Sequence, residues 1–117
     1  MPRSLDISVA DIKRAAIRIR PYIWMTPLLY SPFLSEECSC EVYLKLESEQ
    51  VTGSFKIRGA LNKLLSLSPA DKKRGVVTAS TGNHGAAVAF GMKRLNIHGV
   101  IYLPVNASKP KVEAIKQ

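Results

Sequence analysis

Two short stretches hold side chains whose types and spacing could do chemistry. The first is Ser54-Phe55-Lys56-Ile57-Arg58-Gly59-Ala60. The pattern places Lys56 in the first turn of a helix, where unpaired N–H groups and the helix dipole disfavour a cation. An ordinary helix would carry an acid there. A lysine facing a closed site at such a place favours the neutral amine, and a neutral amine attacks an aldehyde to form a Schiff base. Gly59, one turn on, removes a side chain from the same face and leaves room for a bulky ligand. The second stretch is Ala79-Ser80-Thr81-Gly82-Asn83-His84-Gly85. It joins the C-terminal end of a strand to a helix N-terminus, where ligands bind in open α/β sheets. Backbone N–H groups there converge on an anion, and Gly82 and Gly85 permit close approach. Each stretch also has a plainer reading. Lys56 alone suits a surface lysine on an amphipathic helix, and 80–85 alone suits a polar capped turn with His84 in solvent.

The elements that must position these residues follow from periodicity. Ser8 is a helix N-cap with Asp11 as its capping-box partner, and Ile7 is placed to staple onto Ile12. Ile12, Ala15, Ala16 and Ile19 recur at helical spacing until Pro21, which predicts a helix over 7–20. Val42, Leu44 and Leu46 alternate and predict a half-buried strand over 41–47. Residues 50–54 are a loop with Gly53 supplying backbone freedom. A second helix starts at Ser54 or Phe55 and carries an apolar stripe of Ile57, Ala60, Leu61 and Leu64. Ser68-Pro69-Ala70-Asp71 opens a short helical turn that Gly75 ends.

Beyond Gly75 the period changes. Residues 76–79 form a short apolar strand, followed by the polar turn and a helix to about Asn96 that buries Val88, Gly91, Met92 and Leu95. A second strand over 100–103 stops at Pro104. Strand, helix and strand in this order demand a parallel sheet. Ser108 can cap a last helix through Val112 and Ile115. No C-cap signal precedes Gln117, and a lone βαβ unit leaves strand edges and one sheet face uncovered. The expectation is a chain cut short.

Composition bounds the class. The 117 residues, 46% hydrophobic and 22% charged, suit one soluble globular domain. No apolar run approaches membrane-spanning length, and the first residues lack the apolar stretch of a secretory signal, so cytoplasm is expected. Cys38 and Cys40 are too closely spaced for a structural disulfide and read as free thiols. The net charge of +8 is scattered over every segment. It reads as a solvated surface, with no nucleic-acid or membrane partner expected.

Taken together, Ser-Phe-Lys-Ile-Arg-Gly-Ala followed by Ser-Thr-Gly-Asn-His-Gly resembles the fold-type II pyridoxal-phosphate enzymes, in the threonine/serine dehydratase and serine racemase branch. Thr26-Pro27-Leu28, Tyr43-Leu44-Lys45-Leu46-Glu47 and Leu103-Pro104 support it. The cysteine-synthase branch typically has Lys-Asp-Arg and Gly-Asn-Thr instead. The resemblance implies an α/β fold, the N-terminal part of a tryptophan-synthase-β-like architecture with a parallel sheet and flanking helices. Residues 1–74 would open the large cofactor domain and 75–117 the small domain. It implies pyridoxal 5'-phosphate as cofactor, held by Lys56 as a Schiff base, with Phe55 packed on its ring and Asn83 bonded to its phenolic oxygen. Ser80, Thr81, Gly82, Asn83 and His84 would cradle the substrate carboxylate.

The implied reaction is β-elimination of L-threonine or L-serine to a 2-oxo acid and ammonia, in a homo-oligomer when complete. Lys56 and Thr81 would be the acid/base groups on opposite faces. Racemase members carry serine at the position of Thr81, and the added methyl of threonine makes racemisation the lesser expectation, behind elimination. The family's phosphate loop, its group facing the pyridine nitrogen and its metal-binding carboxylates fall beyond Gln117, so this stretch alone should be inactive. A non-catalytic relative, or a small basic module binding an anion at the 80–85 turn, is the expectation from other classes.

Overall fold

The computed structural model describes residues 6–107 and 109–116. Helix α1 spans Val9–Ile19. Its capping box is complete: Ser8 Oγ accepts from Asp11 N at 3.2 Å and Asp11 Oδ2 accepts from Ser8 N at 2.9 Å. Pro21 lacks a backbone N–H, and the chain continues past α1 as one 3-10 turn, Arg20–Tyr22. The expected stripe is corrected here. Ile19 is the buried residue of α1, whereas Ile12 is 61% exposed and Ile7 75%, so the staple does not bury them.

The next stretch holds two elements the sequence did not signal, strand β1 (Leu28–Tyr30) and helix α2 (Pro32–Cys38). α2 begins with Ser31 as cap and Pro32 at its first position, and Ser39 ends it in the left-handed region at φ 52°. The 41–47 strand shortens to β2 (Tyr43–Lys45), antiparallel to β1 with Leu29 opposite Leu44. Both strands are exposed along their length. Leu44 is 40% exposed, and Val42 and Leu46, expected on the same face, are part-buried. Gln50, 3% exposed, ties the segment down. Its Oε1 accepts from Trp24 N at 2.9 Å, and its Nε2 donates to Trp24 O at 2.9 Å.

The core lies between helices α3 (Lys56–Ser66) and α5 (Asn83–Leu95). Ile57 and Leu61 are fully buried, with Ala60, Ala87, Val88 and Ile19 around them. Burying each large aliphatic side chain stabilises by about 1.5–3 kcal/mol. The expected α3 stripe of Ile57, Ala60, Leu61 and Leu64 is the buried face. Helix α4 (Pro69–Arg74) follows the cap Ser68 and ends at Gly75, whose φ of 86° favours glycine. Strands β3 (Val76–Ala79) and β4 (Gly99–Tyr102) pair in parallel, Val76 opposite Gly99, with α5 as the crossover. The parallel sheet is thus two-stranded and separate from the antiparallel β1–β2 pair. Helix α6 (Lys109–Lys116) packs on α5. The expected cap at Ser108 lies outside the described residues.

Candidate active site

Lys56 is the first residue of α3, and Phe55 occupies the cap position with no side-chain cap bond. No side-chain acceptor caps the first turn, and the Arg58 N–H donates to Phe55 O at 3.1 Å. Lys56 Nζ stands 5.0 Å from the centre of the Phe55 ring. The two residues line a cleft of about 450 Å³ together with Gly59, Lys63, Thr78 and His84. A Cβ at Gly59 would meet nothing within 4 Å, so the space one turn beyond the amine is open. The cleft is open rather than closed, with Lys56 and Phe55 both exposed. Just upstream, Ser54 Oγ and Thr52 Oγ1 are buried without a hydrogen-bond partner among the described residues. Such orphan hydroxyls are costly unless a ligand or water satisfies them.

The second stretch sits at the rim. The strand-to-helix turn ends at Gly82, the N-cap of α5, so Asn83 and His84 open that helix. Ser80 Oγ accepts from Gly82 N at 3.3 Å and from Gly85 N at 3.0 Å, which folds the turn on itself. Thr78 Oγ1 lies 3.2 Å from His84 Nε2. Of the expected set, Phe55, Lys56 and His84 share the cleft, while Ser80, Thr81, Gly82 and Asn83 are not among its lining residues. The expectation for Gly85 is corrected. It is buried, and a Cβ there would meet Ser80 O and Ile115 Cδ1 at 2.9 Å, so its missing side chain serves packing rather than a ligand. Gly82 does face open space.

A further group braces the lysine helix. Arg58 Nε donates to Glu47 Oε2 at 2.8 Å and Arg58 Nη2 to Glu47 Oε1 at 2.7 Å. Thr26 Oγ1 donates to the same Oε1 at 2.6 Å, and Lys45 Nζ donates to Thr26 O at 2.5 Å. The Arg58 hydrogen bonds, outweighing partial burial, hold the Glu47 carboxyl down to about 2. A planar fork on a carboxylate is the strong form of ion pair. Glu47 and Arg58, opposite in charge and each in a stretch that resembled the family, were the available signal for it. Sequence spacing alone did not pair them.

The donor set tests the cofactor. A primary amine for an aldehyde, an aromatic wall and open space at Gly59 suit a planar aldehyde. The fold and the site point to the same class. The family model of pyridoxal-phosphate dependent enzymes matches residues 19–117, and the chain belongs to that family. Its cofactor is pyridoxal phosphate.

The particular relatives are amino-acid enzymes. The catabolic L-threonine dehydratase of Escherichia coli K12 is 44% identical over 110 residues, covering 94% of this chain and 33% of that protein. The biosynthetic L-threonine dehydratase of Corynebacterium glutamicum is 47% identical over 109 residues, covering 93% and 25%. Serine racemase from Dictyostelium discoideum superposes with a TM-score of 0.87 at 40% identity, over 94% of this chain and 36% of that one. The chain thus spans about a quarter to a third of the length of the dehydratases it matches.

Proposed function

We propose that the complete protein is a pyridoxal-phosphate-dependent dehydratase, converting L-threonine or L-serine to a 2-oxo acid and ammonia. The observation that carries this is the shared cleft, which Lys56 and His84 both line beside open space at Gly59. The identity to L-threonine dehydratases supports the substrate class. When bound, pyridoxal phosphate supplies a sink for the electron pair left at the substrate's α-carbon. Lys56 Nζ would hold the cofactor's aldehyde carbon and, once the substrate's amine replaces it there, the freed amine would take the α-proton on one face. Phe55 would pack on the cofactor ring, and Asn83 at the start of α5 would bond its phenolic oxygen. Ser80, Thr81, Gly82, Asn83 and His84 would cradle the carboxylate, where the dipole of α5 favours an anion. In this reading residues 1–74 belong to a cofactor domain and 75–117 to a substrate domain. The exposed free thiols of Cys38 and Cys40 support a cytoplasmic setting, and homo-oligomeric assembly is part of the proposal.

The test is reconstitution of the complete protein with pyridoxal phosphate. We expect visible absorbance of the bound cofactor and 2-oxo acid release from L-threonine or L-serine. Lys56→Ala should abolish both. Equal cofactor binding after Lys56→Ala would defeat the assignment of the amine. Serine racemisation is the second reading, favoured by the likeness to serine racemase, although threonine at position 81 restricts the hydroxyl this reaction would use. Abundant D-serine in the same assay would select it.

A further inference from the structure

Thr78 and His84 are six residues apart in sequence and meet because the chain turns through 80–82. Thr78 Oγ1 lies 3.2 Å from His84 Nε2, and both residues line the cleft that holds Lys56. The alternation of β3 puts Val76 and Thr78 on its more buried side and Val77 and Ala79 on its exposed side. Thr78 is thus fixed by a strand and His84 by a helix, and the hydrogen bond joins the two. A neutral imidazole has one N–H and one lone pair, and the bond made by one nitrogen sets which of them carries the proton. A threonine hydroxyl can donate or accept. Among the described residues, His84 Nε2 is its only hydrogen-bond partner. The hydroxyl can donate to the lone pair of Nε2, which places the ring proton on Nδ1, or accept from Nε2–H in the other tautomer.

We propose that Thr78 is a positioning residue: its hydroxyl donates to His84 Nε2 and so presents Nδ1–H as a donor to the carboxylate of an amino-acid substrate. This rests on the function proposed above. The other tautomer would leave a lone pair at Nδ1, which repels a carboxylate. Thr78 touches no substrate in this scheme and acts through the ring alone.

Two kinds of readout separate this proposal from the function beneath it. The chain has two histidines, His84 and His98. A long-range proton–nitrogen correlation spectrum of the isotope-labelled chain, above the ordinary histidine pKa, therefore reports His84 with His98 as an internal reference. The unmodified chain should show His84 in the Nδ1–H form. Thr78→Val, which keeps the shape and removes the hydroxyl, should shift it toward the Nε2–H form, and Thr78→Ser should restore it. His98 should not move. In the complete, cofactor-loaded protein, Thr78→Val should raise KM about tenfold with kcat little changed, since one hydrogen bond to a bound carboxylate is weakened. Thr78→Ser should recover the original KM. An Nε2–H ring in the unmodified chain, or a ring indifferent to Thr78→Val, would overturn the proposal. If Thr78→Val does not fold, the unmodified chain and Thr78→Ser decide by the same spectrum. A ring that follows Thr78 in a protein that releases no 2-oxo acid would keep the pairing and defeat the function.

Discussion

Glu47 and Arg58 sit on either side of the loop that delivers Lys56, and their ion pair is the firmest polar contact near the site. The side chain of Glu47 is 16% exposed and that of Arg58 34%, so the pair is screened less than a surface contact but not fully buried. The folded carboxyl titrates at about 2, below its ordinary 4.5. A depressed carboxylate stabilises the fold fully above its unfolded pKa and loses that contribution as pH falls through its folded pKa. The window therefore runs from about 4.5 down to about 2. After discounting for the partial exposure of Arg58, the contribution is about 2 kcal/mol. Glu47→Gln should lower stability by about that amount near neutral pH, measured by urea denaturation. The deficit should shrink markedly at about pH 3. A deficit that stayed constant with pH would show that shape, not charge, is what Glu47 provides. The residues of this bracing pair were legible as motif members, but their partnership was not. It depends on how the 47–55 loop folds back, and nothing in residue type or spacing encodes that return.

Two helices of this chain, α1 and α4, begin in the same way. Ser8-Asp11-Arg14 and Ser68-Asp71-Arg74 share one spacing, with serine capping the helix, aspartate bonded to the serine hydroxyl at 2.6 Å, and arginine paired to the aspartate. These starts were readable because a cap is local: its donors and acceptors lie within one turn. α3 and α5 lack side-chain caps and were legible from the spacing of their apolar residues, and the parallel pairing of β3 and β4 followed from the crossover. Burial on α1 and the β1–β2 ladder were not legible. Helical spacing names an apolar face without saying whether anything packs on it, and Leu28–Tyr30 is too short to alternate. The close approach of β3 to β4 gives a sharp test at this scale. A Cβ at Gly99 would collide with Val76 O and meet Val76 Cγ2 at 2.9 Å. A backbone carbonyl in a ladder cannot swing away as a side-chain tip can. Gly99→Ala should therefore cost about 1–3 kcal/mol, seen as a lower thermal midpoint. An unchanged midpoint would mean that the strands separate there at no cost.

Across the whole molecule, apolar surface is left on both sheets. Val77 is 70% exposed, Val100 50% and Tyr102 63% along β3 and β4. Leu28, Phe33 and Tyr43 are similarly open around the other pair, at 61%, 70% and 52%. The radius of gyration is 17.0 Å, against about 13 Å for a compact domain of this length. Contiguous apolar faces of this kind mark surfaces suited to burial by other polypeptide. Against that stands the net charge of +8, which makes two copies repel. Salt separates the two effects, because the screening length falls from about 10 Å at 0.1 M to about 3 Å at 1 M while apolar burial is undiminished. The chain on its own should therefore bind a hydrophobic-surface dye at low salt and associate as salt rises, read by sedimentation velocity at several concentrations. Association that weakened with salt would show that ion pairs, not the sheet faces, hold the copies together. A monomer at every salt concentration, with no dye binding, would mean that these faces close over in solution.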